Sequence, residues 1–252
     1  MQNRQISAIK ESHNLLSINS EWIGREYCEN CHFCKLFSAE LSDSDDANTT
    51  LQPADHFLFP SGSVIYSNNT HRKFIYTIRH GMVKLTNNAR NGGSRIVRLL
   101  GPGDSIGLEL LYGNSHYHHT AVAVDNVDVC RIPVSIIKKT IAERPSIYTQ
   151  ISHQLQNQLD LADQWIVALG TGTARQRVAH LLLLLDGFFA DKNGAFTLIN
   201  REDMAAIIGT TMETVSRMIA EFKRQNILCK YKSKNSLYTC NTSMLRAITL
   251  HA

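Results

Sequence analysis

The segment from Asn200 to Ile219 constrains this chain more than any other. It reads as a short helix that ends at Gly209, where a left-handed backbone costs little, followed by a second helix. Ala205 and Ala206 are small enough to let the two helices approach, and Thr210 or Thr211 is placed to cap the second. Val215, Ile219 and Phe222 form an inner apolar stripe on that second helix, which puts Glu213, Ser216 and Arg217 on the opposite side. Those side chains suit base edges in a DNA major groove: arginine donates to guanine, glutamate accepts from cytosine, and serine does either. Thr211 and Thr214 complete the candidate DNA-contacting set. A plain helical hairpin with a Glu213–Arg217 ion pair has the same pattern. The strand signal Leu237-Tyr238-Thr239 after the basic run Lys230 to Lys234 favours a winged helix-turn-helix, because it supplies the wing.

Charge agrees with this reading. From residue 171 onward the chain has 11 Lys+Arg against 6 Asp+Glu, a net of +5, whereas residues 1 to 170 have 15 against 16, a net of −1. Excess positive charge in the last third suits a phosphate backbone. There is no apolar run long enough to span a bilayer and no signal-peptide core near Met1, so a cytoplasmic protein without a membrane partner is expected. Phosphate-loop, nucleophile-elbow and zinc-hydrolase patterns are absent, so no enzyme and no catalytic residue is expected.

Upstream, the periodicity changes twice. Residues 1 to 50 read as a loosely structured segment containing cysteines. From about residue 51 to 135, short β-branched and aromatic runs alternate with turns such as Pro60-Ser61-Gly62, His80-Gly81 and Gly101-Pro102-Gly103-Asp104. That rhythm predicts a β-sandwich or barrel. Over residues 136 to 170 the period becomes helical, with an apolar stripe that includes Ile151, Leu155, Leu159, Ala162 and Ile166. Such a stripe must be covered, either by a two-fold partner helix or by the chain's own β-domain. Residues 171 to 252 form the DNA-binding domain, after a break at Gly170-Thr171-Gly172-Thr173.

Three of the six cysteines fall in Cys28-x-x-Cys31-x-x-Cys34. Three thiolates on one short loop have iron–sulfur spacing and also suit zinc.

This order of parts resembles the Crp/Fnr family of bacterial regulators. The resemblance runs from about Gln52 to the C-terminus and is carried by Gly101-Pro102-Gly103-Asp104-Ser105-Ile106-Gly107 and by Met212-Glu213-Thr214-Val215-Ser216-Arg217. It implies an α+β architecture: an N-terminal cupin-like barrel of the cyclic-nucleotide-binding type as sensor, a long dimerisation helix and a C-terminal winged helix-turn-helix. It further implies a homodimer acting on double-stranded DNA and RNA polymerase. The Glu-x-x-Ser-Arg form is similar to the Fnr branch and implies a TTGAT-type palindrome. Cys130-Arg131-Ile132-Pro133 looks like the context of that branch's distant cluster ligand. The resemblance therefore implies a [4Fe-4S] cluster on Cys28, Cys31, Cys34 and Cys130, sensing oxygen, nitric oxide or redox state, with zinc as the alternative metal. The Fnr branch has a longer spacing before its third cysteine than the two residues between Cys31 and Cys34. Haem or a cyclic nucleotide are the other ligands to weigh. Gly107-Leu108-Glu109-Leu110 matches the cyclic-nucleotide turn, but His119-Thr120 stands where that branch has its phosphate-binding Arg-Ser pair.

Overall fold

A computed structural model of the chain describes residues 20–26, 54–71, 73–88, 94–231 and 237–250. Cys28, Cys31 and Cys34 lie outside them, as does the wing tip with Lys232 and Lys234. The chain divides into two compact units, residues 1–87 with 98–156 and residues 88–97 with 157–252.

The short apolar runs become strands, which lie in the first unit apart from Asn88 and residues 94–97: β1 (Glu21–Glu26), β2 (Ala54–Phe59), β3 (Val64–Tyr66), β4 (Phe74–His80), β5 (Val83–Asn88), β6 (Ser94–Leu100), β7 (Ser105–Ile106), β8 (Thr120–Ala123) and β9 (Val127–Pro133). They form one sheet of order β1-β2-β9-β4-β7 and another of order β3-β8-β5-β6, so the expected barrel is two sheets whose ladders do not close. The stretch from Ala121 to Ile132 belongs to two strands, β8 and β9, with a short connection between them. Strand β9 is central and almost wholly buried, which explains its near-continuous apolar run. Strand β1 falls in the segment expected to be loose; it is an edge strand paired with β2, with an irregularity between Trp22 and Gly24. The Gly-Pro-Gly-Asp turn is closed by Asp104, whose carboxylate accepts the Gly101 N–H at 2.9 Å.

Helix α1 (Val134–Glu143) follows β9 directly, and α2 (Ser146–Gly170) is the long helix. Arg144 and Pro145 separate them, as expected where a proline removes an N–H and crowds the residue before it. Ile147, Ile151, Trp165 and Leu169 on α2 are buried, whereas Leu159 and Ile166 are 49% and 70% exposed.

The second unit is built around α3 (Ala174–Phe189). Thr173 caps it reciprocally with Gln176, each residue's side chain bonding the other's backbone N–H. Around it lie β10 (Phe196–Thr197), α4 (Arg201–Ile208), α5 (Met212–Arg224), β11 (Leu228–Lys230), β12 (Leu237–Cys240) and α6 (Thr242–Leu250). The three short strands form one sheet of order β10-β12-β11. Val178, Leu181, Leu182, Phe196, Met204, Ile208 and Leu245 are among the core residues of this unit.

Candidate nucleic-acid interface and sensor site

Helices α4 and α5 and the turn between them carry the candidate DNA-reading surface. Asn200 caps α4 by accepting the Asp203 N–H at 2.7 Å, and Gly209 ends it at φ 66, ψ 50, a conformation in which a Cβ would be strained. Arg177 of α3 donates to the Ile208 carbonyl at 2.8 Å, which occupies one of the acceptors a helix end leaves free. Thr211 caps α5, its hydroxyl accepting the Thr214 N–H at 3.3 Å. Val215, Ile219 and Phe222 are fully covered, and their burial stabilises the unit by about 1.5–3 kcal/mol each. Glu213, Ser216 and Arg217 are exposed on the other side, Thr211 is exposed, and Thr214 is half-buried. The backbone amide and the Thr211 hydroxyl at the helix start hold the Glu213 carboxyl below its ordinary range. Arg175 of α3 orients α5 through Glu221 at 3.0 Å, with its guanidinium over the Phe222 ring.

Beside α5 stands a second group of cations. Lys223 donates to the Tyr238 hydroxyl at 2.9 Å and lies 4.5 Å from its ring. The Lys223 ammonium draws the Tyr238 hydroxyl below its usual range, with Lys230 and Arg201 adding to the effect. Sequence reading singled out Tyr238 as a wing strand residue and not this pairing, because Lys223 is 15 residues away. Cys240 is pushed up to about 12 by burial and by the nearby Asp186, so it stays a neutral thiol. Cys229 is exposed, and its thiol donates to the Asn226 carbonyl at 3.6 Å.

In the first unit, Cys130 of β9 is fully buried and lies across from His56 of β2. Its sulfur is 3.7 Å from His56 Nε2. The other ring nitrogen of His56 contacts Arg79, which is paired with Asp128 at 3.1 Å. On the other face of β9, Arg131 is only 5% exposed. It pairs with Asp55 at 3.2 Å and lies 4.5 Å from the centroids of both the Phe57 and Phe74 rings. Sequence reading missed His56, Arg79 and the Asp55–Arg131 pair. The available signal was the two charged residues, Asp128 and Arg131, in the otherwise apolar strand that carries Cys130.

Between the two sheets the space is filled by tyrosines. Tyr66 stacks on Tyr117 with centroids 3.8 Å apart, and Tyr76 lies 5.9 Å from Tyr66; all three are buried. The Tyr117 hydroxyl donates to the Phe74 carbonyl at 2.7 Å. Gly107, at φ +83, lies directly against this arrangement; a Cβ there would come within 2.9 Å of the Tyr117 ring. Glu109, in the cyclic-nucleotide-type turn, accepts the chain's own His118 N–H at 3.1 Å. Thr120 accepts the Asn68 N–H at 3.0 Å, and His119 is held below its ordinary range by burial and then by Arg98. Among the described residues, no three His, Cys, Asp or Glu side chains converge on a point that could hold a metal ion.

Comparison with known proteins matches the two units to two families. Residues 56–144 match the cyclic nucleotide-binding domain, and residues 176–248 match the Crp-like helix-turn-helix domain. The chain belongs to the Crp/Fnr family.

Crp/Fnr proteins are transcription regulators that bind DNA and dimerise, and they are not enzymes. Similar members include the transcriptional activator protein FnrL of Cereibacter sphaeroides, 24% identical over 84% of this chain and 88% of its own. The nitrogen fixation regulation protein FixK of Bradyrhizobium diazoefficiens is 27% identical over 79% of this chain and 85% of its own. The structure of FixK2 from Bradyrhizobium japonicum has a TM-score of 0.69 at 25% identity and covers 79% of this chain and 98% of that one. Against this Crp/Fnr background, the chain is a DNA-binding regulator with a Crp-like fold. No described helix is long and apolar enough to cross a membrane.

Proposed function

We propose that this Crp/Fnr regulator senses oxygen, nitric oxide or redox state through a [4Fe-4S] cluster held by Cys28, Cys31, Cys34 and Cys130, and binds a TTGAT-type palindrome as a dimer. The observation that carries this reading is the path of β1. Gly24 of β1 pairs with His56, and His56 pairs with Cys130. Strand β1 ends at Glu26, two residues before Cys28. Cys28, the first of the cysteine trio, therefore follows by two positions in the sequence the last residue of a strand in the sheet that carries Cys130. The donor chemistry fits as well, because the Cys130 sulfur faces a ring nitrogen of His56 in a buried place, an arrangement suited to a thiolate acceptor.

When bound, the cluster supplies an oxidant-labile link between four thiolates. The chain's residues do the rest. Cys130 anchors the link to β9, and β9 runs directly into α1 and the start of the α2 segment. On α2, Leu155, Leu159, Ala162 and Ile166 form the proposed dimer seam; Leu159 and Ile166 are the most exposed of these. Ile151, expected in the seam, is wholly covered by its own chain. In the dimer the two α5 helices sit about 34 Å apart, one DNA turn. Glu213, Ser216 and Arg217 read bases, with Thr211 and Thr214 beside them. Loops of the first unit contact RNA polymerase in the cytoplasm.

A cyclic nucleotide is the weaker alternative: Tyr66, Tyr76 and Tyr117 occupy the space between the sheets, and Glu109 is engaged with backbone. The test is the visible spectrum of anaerobically purified protein before and after air, with metal analysis. The expected result is a broad band that bleaches in air and is missing from Cys31→Ser. Zinc with a featureless spectrum, or a Soret band, would replace the cluster reading with zinc or haem.

A further inference from the structure

The side chains around Cys130 form a directed chain of hydrogen bonds. Asp128 holds Arg79 Nη1 at 3.1 Å, and the same Nη1 contacts His56 Nδ1. Arginine has donors and no acceptor, so Nδ1 must accept. That leaves the ring proton of a neutral His56 on Nε2, which lies 3.7 Å from the Cys130 sulfur. The sulfur is thus the acceptor of the His56 Nε2–H. His56 is 2% exposed and Cys130 is 0% exposed, so water does not compete effectively for this contact. The residues come from three strands, β2, β4 and β9. Thr77 shares the register row, and its hydroxyl is 3.1 Å from that of Ser105.

We infer that His56 is a positioning residue for the Cys130 sulfur, its Nε2–H donated to that sulfur and its tautomer set by Arg79 and Asp128. The inference rests on the cluster reading above and adds to it: the fourth ligand is presented by a histidine rather than by backbone. Outer groups that hydrogen-bond a ligand orient it and tune its affinity for metal. Hydrogen bonds to cluster sulfurs also help set cluster behaviour.

Two measurements test it. In the metal-free protein, long-range ¹H–¹⁵N correlation should show His56 as the Nε2–H tautomer; an Nδ1–H tautomer or an imidazolium at neutral pH overturns the inference. After anaerobic reconstitution, iron loss to a chelator should be about 10- to 100-fold faster in His56→Phe than in the parent. His56→Gln keeps an N–H at the corresponding distance and should recover most of the difference, whereas a purely packing role would be rescued better by Phe. If His56→Phe does not fold by circular dichroism, Arg79→Met decides: the His56 tautomer should become mixed and iron loss should rise severalfold. Parent-like iron retention in the folded variants overturns this inference alone. A parent protein that takes up no iron and sulfide overturns the cluster reading and this inference together.

Discussion

Around Cys130 the side chains of His56 and Arg131 are buried, whereas on α5 the polar groups of interest stand in water above a buried apolar stripe. Arg131 is 5% exposed and enclosed by two rings and a carboxylate; Arg217 is exposed. A buried charge depends on its partner for most of its solvation, so removing either disturbs the fold. An exposed charge is solvated already and is free to be used on a ligand. The surroundings of Cys130 are therefore expected to be intolerant and the exposed face of α5 adaptable, within one chain.

The largest effect that would break this contrast concerns Arg131. Arg131→Ala removes the buried ion pair with Asp55 and opens space between Phe57 and Phe74, so it should lower unfolding stability by about 3–5 kcal/mol in urea titration. A loss below 1 kcal/mol would mean that the buried side is as tolerant as the exposed one. Next comes the long helix, where both regimes meet. Ile166→Glu places like charges across the proposed seam and should weaken dimerisation about 100-fold in analytical ultracentrifugation. Its thermal melting as a monomer should barely change, because Ile166 is 70% exposed.

On α5, Arg217→Ala should weaken binding to a specific site by about 1–3 kcal/mol in fluorescence anisotropy and relax base preference there. Its stability should stay within about 0.5 kcal/mol of the parent. Equal loss on random DNA would reduce Arg217 to a phosphate contact. The smallest effect is a pH slope. Burial lowers His119 below its ordinary 6.5, so the folded state binds its proton less readily than the unfolded state. Its contribution is fully present above pH 6.5 and is lost as pH falls through the folded value. His119→Gln should therefore flatten the acid side of the melting-temperature profile, leaving the region above 6.5 unchanged.

The DNA-reading unit was legible in the sequence because its determinants are local. Gly209 for the left-handed turn, Thr211 for the cap and Val215, Ile219 and Phe222 for the stripe all lie within one short segment. Short β-branched and aromatic runs set between turn residues announced the strands β2 to β6 for the same reason. Strand β1 was not legible: Glu21–Glu26 is short, is interrupted by Gly24 and becomes a strand through β2, about 30 residues later. The α2 stripe was legible as apolar but not as divided, since periodicity cannot tell a residue covered by its own chain, such as Ile151, from an exposed one such as Ile166.

The sequence by itself determined the succession of short strands, long helix and helix-turn-helix, and the cysteine spacing, since these depend on backbone preference and neighbours a few positions apart. Only the tertiary structure decided that His56 meets Cys130 across 74 residues, that Arg131 pairs with Asp55 across 76, and that tyrosines fill the space between the sheets. Sheet register sets those contacts, and register follows from the fit of whole strands rather than from any one residue's chemistry.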